Sequence, residues 1–102
     1  MTFLQALPEI RIEAVEQAEL EPLYQIIIHN DDVTPMEFVV HILTGIFFLG
    51  TPNATEIMLK AHITGSAYVQ TVPRGEAEKR INKAHATADE NGYPLQFSME
   101  PE

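Results

Sequence analysis

The spacing of apolar positions changes several times along the chain, and each change marks an element. Tyr24-Gln25-Ile26-Ile27-Ile28 is short, apolar and β-branched, which predicts a buried strand over about 24–29. Met36, Val39, Val40, Leu43, Ile46 and Phe47 then recur at helical spacing. They predict a helix from Pro35 to about Phe48, with Thr34 as its cap, Pro35 at its first position, Glu37 completing a capping box and Gly50 stopping it. Thr51-Pro52 restarts the chain as a second helix to about Ile63, carrying Ile57, Met58, Ala61 and His62 on adjoining faces, with Gly65 as its C-terminal cap. Ala67 to Val72 has strand composition. From about Arg74 to Asn91, Ala77, Ile81, Ala84 and Ala88 recur at intervals of four, three and four, an amphipathic helix ended by Gly92. A last short strand, Leu95 to Met99, follows Pro94. The order β-α-α-β-α-β predicts an α+β fold: a single small domain with three helices packed against a small three-stranded sheet.

Upstream of Pro22 the pattern thins. Ile12, Val15 and Ala18 make only a narrow apolar stripe, so residues 1–22 read as a flexible N-terminal extension and residues 23–102 as the core domain. The extension is acidic, with Glu9, Glu13, Glu16, Glu19 and Glu21 against Arg11, a net of -4 that leaves -5 for the other 80 residues. A chain of 102 residues suits one hydrophobic core. At 45% hydrophobic residues and a formal charge of -9, it is too apolar for disorder and too acidic for nonspecific nucleic-acid binding. Neither nucleic acid nor an anionic membrane is expected as a partner. Without cysteine there is no disulfide framework, thiolate nucleophile or Cys-based zinc site. The first residues lack a basic region followed by a long apolar core, and no apolar run approaches membrane-spanning length, so a cytoplasmic protein is expected.

One stretch carries more polarity than its backbone needs. His29-Asn30-Asp31-Asp32 stands between strand and helix, just before the residues that organise the helix start. Three chemistries fit poorly. His29, Asp31, Asp32 and His62 are ligand types for zinc or iron, but no His-x-x-x-His pair supports a metal, and His41 and His85 read as ordinary helix-surface residues. Ser66 and Ser98 lack an elbow motif for a nucleophile. Asp31 and Asp32 are adjacent on an extended segment, where side chains point apart, so they do not share a proton. No catalytic residue, metal or cofactor is expected. Binding suits the same residues better, because a carboxylate, an amide oxygen and a neutral imidazole all accept hydrogen bonds from an ammonium group. If the second helix packs beside the first, His62 approaches Asn30 and Asp32, and Met36, Val39, Met58 and Ala61 line an apolar cavity nearby. The plain alternatives stand beside this: Met36, Val39 and Met58 as core, His62 as a structural histidine, Asn30 and Asp32 closing an Asx-turn.

The run Asn30-Asp31-Asp32-Val33-Thr34-Pro35-Met36-Glu37-Phe38-Val39-Val40 closely resembles the signature of the ClpS family, N-end rule adaptors of the Clp protease. Ala54-Thr55-Glu56-Ile57-Met58-Leu59-Lys60-Ala61-His62 is similar to the family's second motif, and Asn91-Gly92-Tyr93-Pro94-Leu95 with Ser98-Met99-Glu100 to its C-terminal end. The resemblance spans about residues 23–102. It implies a non-enzymatic adaptor that binds proteins bearing an N-terminal Leu, Phe, Tyr or Trp and delivers them to a Clp AAA+ unfoldase, ClpA-like or ClpC-like, for degradation. Carried over by motif, Asn30, Asp32 and His62 hold the substrate's α-ammonium with Asp31 supporting the acidic rim. Ile28, Thr34, Met36, Val39, Met58, Ala61 and Leu95 form the side-chain pocket, Met36 rejecting β-branched Ile and Val at its mouth. Two departures bear on this. At Ala61 the family often has a larger aliphatic residue, which implies a roomier pocket. The family's ATPase-docking surface has a Glu and, further along, a basic residue on the third helix; the matching positions are Gly75 and Arg80, with Glu76 the neighbouring acid. The extension corresponds in position to one that takes part in handover. A second reading is a Clp regulator or other interaction module that docks through the third helix without binding N-degrons.

Overall fold

Two stretches rich in β-branched and aromatic residues and a third built around Phe97 pair into one antiparallel sheet in the structure, a computed structural model that describes residues 21–102. The expected extension therefore lies outside the described residues except for Glu21 and Pro22. Strand β1 (Leu23–His29) is central, between β2 (Ser66–Pro73) and β3 (Gln96–Pro101). Its isoleucine run suits that position, since both of its edges are paired and its inner face is covered. Ile28 stands opposite Ala67 on one side and Phe97 on the other, so the register stacks buried side chains in one row. Ile26 faces Gln70 and Ile27 faces Tyr68, which leaves Val69 as an extra residue in β2, a bulge that bends this edge.

All three helices contribute to the core on the sheet's inner face: α1 (Met36–Gly45), α2 (Thr51–Thr64) and α3 (Arg74–Glu90). Ile42, Leu43 and Phe47 are fully buried with Ile26 and Ile28, and Phe47 stacks on Phe97 at 4.8 Å between ring centroids. Side chains of this size contribute roughly 1.5–3 kcal/mol each on burial. In α3 the buried stripe is Ala77, Ile81, Ala84 and Ala88, and its alanines permit close packing on the sheet.

The helix ends differ from the sequence expectation. α1 is shorter than Pro35 to Phe48, beginning at Met36 and ending at Gly45. Pro35 is its extended N-cap, and no side-chain cap forms, because the proline ring carries no acceptor; Thr34, one residue earlier, donates its hydroxyl and amide to Asp31 instead. Gly50 does not stop α1; it is the N-cap of α2, with its carbonyl accepting the Ala54 amide at 2.9 Å. Between them the Leu49 N–H reaches back to the Leu43 carbonyl, across a turn in which Phe48 takes a left-handed φ of 58°. β3 runs from Gln96 to Pro101, extended by its pairing with β1, so Leu95 precedes it. His41 is exposed, but His85 is no ordinary surface residue: its Nε2 accepts the Phe97 amide at 2.9 Å and ties α3 to β3.

Candidate binding site

β1 ends at His29 and hands the chain to a turn whose shape is set by one carboxylate. Asp31 Oδ1 accepts the amides of Val33 (2.9 Å) and Thr34 (2.6 Å), and Oδ2 accepts the Thr34 hydroxyl (2.8 Å). Partial burial by itself raises the pKa of Asp31, but the bonds from the Thr34 amide and hydroxyl and the Val33 amide outweigh it and hold the carboxyl below its ordinary range. The Asx-turn is thus closed by Asp31, not by Asn30 or Asp32. Asn30 and Asp32, on either side of it, are both exposed. Among the described residues, the side chains of Asn30, Asp32 and His62 take part in no hydrogen bond or ion pair within the chain, whereas Asp31 spends both oxygens on the turn.

His62 reaches this turn through backbone bonds. Gly65, at φ 97°, closes α2 and donates its N–H to the Ala61 carbonyl at 2.8 Å. Its own carbonyl accepts the Asn30 amide at 2.9 Å, so the end of α2 is stapled to the end of β1. His62 sits one turn before that staple, exposed at the same rim. Leu95 arrives from the other end of the chain. Gly92 takes φ 75°, Tyr93 donates to the Ala88 carbonyl at 2.9 Å, and the Tyr93 ring meets Phe38 of α1 edge-on at 4.8 Å.

These elements enclose a cavity of about 300 Å³. Ile28, Val39, Met58, Ala61 and Leu95 form its buried apolar wall, and Met36 is 42% exposed. Asn30, Asp31, Asp32, Thr34 and His62 join the lining, so the structure brings together all eleven residues named from the sequence for the amine and side-chain subsites. Sequence reasoning missed Val33 and Pro35, and placed His29 only among possible metal ligands. Strand continuity past Ile28 was the available signal for His29, whose Nε2 lies 2.6 Å from Ser98 Oγ. Among the described residues no three His, Asp or Glu side chains are placed to hold a metal. Free acceptors beside an apolar cavity suit a cation that carries an apolar side chain.

On α3, Glu76 and Arg80 are joined by a 2.6 Å ion pair, and Arg80 also donates to Gln70 Oε1 at 2.8 Å. The space beside Gly75 is not empty. Glu21 Oε1 lies 3.3 Å from the point where a Cβ at position 75 would stand.

A family described as "ATP-dependent Clp protease adaptor protein ClpS" matches residues 19–98. The ClpS adapter of Desulfatibacillum aliphaticivorans is 38% identical over 96 residues, covering 94% of this chain and 92% of its own. The ClpS adapter of Desulforapulum autotrophicum is 42% identical over 81 residues, 79% of this chain and 78% of its own. Among solved structures, Agrobacterium tumefaciens ClpS2 bound to L-phenylalaninamide superposes with a TM-score of 0.77 at 38% identity, covering 80% of this chain and 99% of that one.

Proposed function

From the premise that this chain belongs to the ClpS family of Clp protease adaptors, we propose that its cavity is a receptor for the N-terminal residue of proteins destined for degradation. The observation that carries the proposal is the pairing of three unengaged acceptors with an apolar cavity of about 300 Å³. An α-ammonium has three donors. Asn30 through its amide oxygen, Asp32 through its carboxylate and His62 through a neutral ring nitrogen receive them, and the first side chain enters the space among Ile28, Met36, Val39, Met58, Ala61 and Leu95. Asp31 acts indirectly, by holding the turn that presents Asn30 and Asp32. Burial of the side chain contributes roughly 1.5–3 kcal/mol, and the ammonium contacts admit only a free terminus. The relative solved with L-phenylalaninamide supports an aromatic residue with a free amine as one such ligand. Leu, Phe, Tyr and Trp are the accepted residues, and Met36 at the mouth excludes β-branched Ile and Val.

The bound protein is handed to a ClpA-like or ClpC-like ATPase that docks on α3 around Glu76 and Arg80, in the cytoplasm, with residues 1–22 taking part in the handover. No chemistry on the substrate is required of the adaptor itself. The test is a titration with peptides beginning with Leu, Phe, Ile and acetyl-Leu. Leu and Phe peptides bind, Ile binds weakly and acetyl-Leu does not. Equal affinity for Leu and acetyl-Leu removes the ammonium site from the proposal, and a chain that binds none of the four is a Clp regulator without N-degron recognition.

A further inference from the structure

We propose that Phe48 is an aromatic anchor through which this chain docks on its Clp ATPase, held outward by a network built for that purpose. It lies in the turn between α1 and α2, outside the degron cavity, and is 70% exposed. Its φ of 58° belongs to the left-handed region, which a bulky residue occupies only under strain and which glycine would occupy freely. The conformation is fixed from two sides. Gln70 Nε2 donates to the Phe47 carbonyl at 3.0 Å, while the Arg80 guanidinium stands 4.9 Å from the Phe48 ring centroid. Arg80 is itself immobilised by Glu76 at 2.6 Å and Gln70 at 2.8 Å, and only 20% of its side chain is exposed. Phe47 points inward onto Phe97, so the chain is pinned with one phenylalanine in the core and the next in solvent.

Strain and apolar exposure both oppose folding here, and the core gains nothing from the Phe48 ring. A rigid aromatic beside a fixed arginine is the composition of an interface hot spot. Charge selects the occupant. The chain carries -9 overall, which sets a second copy against it, yet α3 holds Arg74, Lys79, Arg80 and Lys83, four of its six Lys and Arg. Glu76 and Glu78 are taken by Arg80 and Arg74. Asp89 and Glu90 lie at the far end of the helix, so exposed Lys79 and Lys83 leave a positive margin on its middle, beside the residue that clamps Phe48. The matching surface is an apolar pocket edged by carboxylates, on the ATPase that this family serves. Arg80 thereby acts as a positioning residue for Phe48.

The inference extends the α3 docking reading and does not depend on degron recognition, so one experiment separates them. The full chain is titrated with its cognate Clp ATPase and, in parallel, with an N-terminal Phe peptide. Phe48→Ser and Phe48→Gly weaken ATPase binding by at least about tenfold and leave peptide affinity unchanged. Lys79→Glu with Lys83→Glu weakens ATPase binding in a salt-dependent manner. Phe48→Gly melts no lower than the natural chain, because strain is relieved. Undiminished ATPase affinity in both Phe48 variants overturns the proposal, as does a clear drop in melting temperature for Phe48→Gly, which would make the ring structural. A natural chain that binds the ATPase but no peptide overturns the degron receptor alone.

Discussion

Asp31 and Asp32 are chemically identical neighbours with opposite surroundings, and the difference can be measured. Asp32 and His62 offer acceptors that nothing in the described chain uses, so Asp32→Ala and His62→Ala each weaken binding of an N-terminal Phe peptide by about 1.5–3 kcal/mol, the range of charge-assisted hydrogen bonds. Natural affinity in both variants would return them to the plain surface. Asp31 contributes to folding instead. Its hydrogen-bonded carboxylate has a lowered pKa, so its stabilisation is present above the ordinary carboxylate value of 3.8 and is lost as pH falls through the lower folded value. Asp31→Asn therefore melts below the natural chain at neutral pH, and the gap narrows on acidification below about pH 4. A gap independent of pH would show that charge is not what Asp31 supplies. Which aspartate does which job was not legible from residue type. It depends on which carboxylate the turn places within reach of the Thr34 and Val33 amides.

At the scale of elements, the end of α2 links fold and site. Gly65 holds a φ of 97° while its carbonyl anchors Asn30, so any side chain there strains the helix end that presents His62. Gly65→Ala costs roughly 1–2 kcal/mol of stability and also weakens peptide binding, read by thermal unfolding and titration. A destabilised variant with intact affinity would mean that the staple does not position His62. The elements themselves were legible because their apolar spacing is regular: Val39, Leu43, Ile46 and Phe47 are buried as the period requires, and Ala77, Ile81, Ala84 and Ala88 are on α3. Their ends were not. Thr34 has the chemistry of a cap, but the helix begins one residue later than that role needs, so Pro35 takes the cap position without an acceptor and the Thr34 hydroxyl turns to Asp31. Its other end was misread because a phenylalanine, not a glycine, takes the left-handed turn position.

At the scale of the molecule, the cavity is assembled from Ile28 on β1 to Leu95 before β3, and among the described residues its lining lies within 28–95. Removing residues 1–20 is therefore expected to leave peptide affinity unchanged while impairing degradation of a bound substrate by the ATPase and its protease. Peptide titration and a degradation assay check the two halves, and loss of peptide binding in the truncated chain would place part of the receptor in the extension. By itself, the sequence determined the order of strands and helices, the apolar faces and the residue types at the rim, since these follow from local periodicity and from two motifs read along the chain. Only the tertiary structure decided that Asn30 and His62 share a rim, that Asp31 turns inward, that His85 bridges to Phe97 and that Phe48 stands out under an arginine clamp. Each of those depends on contacts between residues distant in sequence or on competition for a single donor, and neither is written in the spacing of hydrophobic positions.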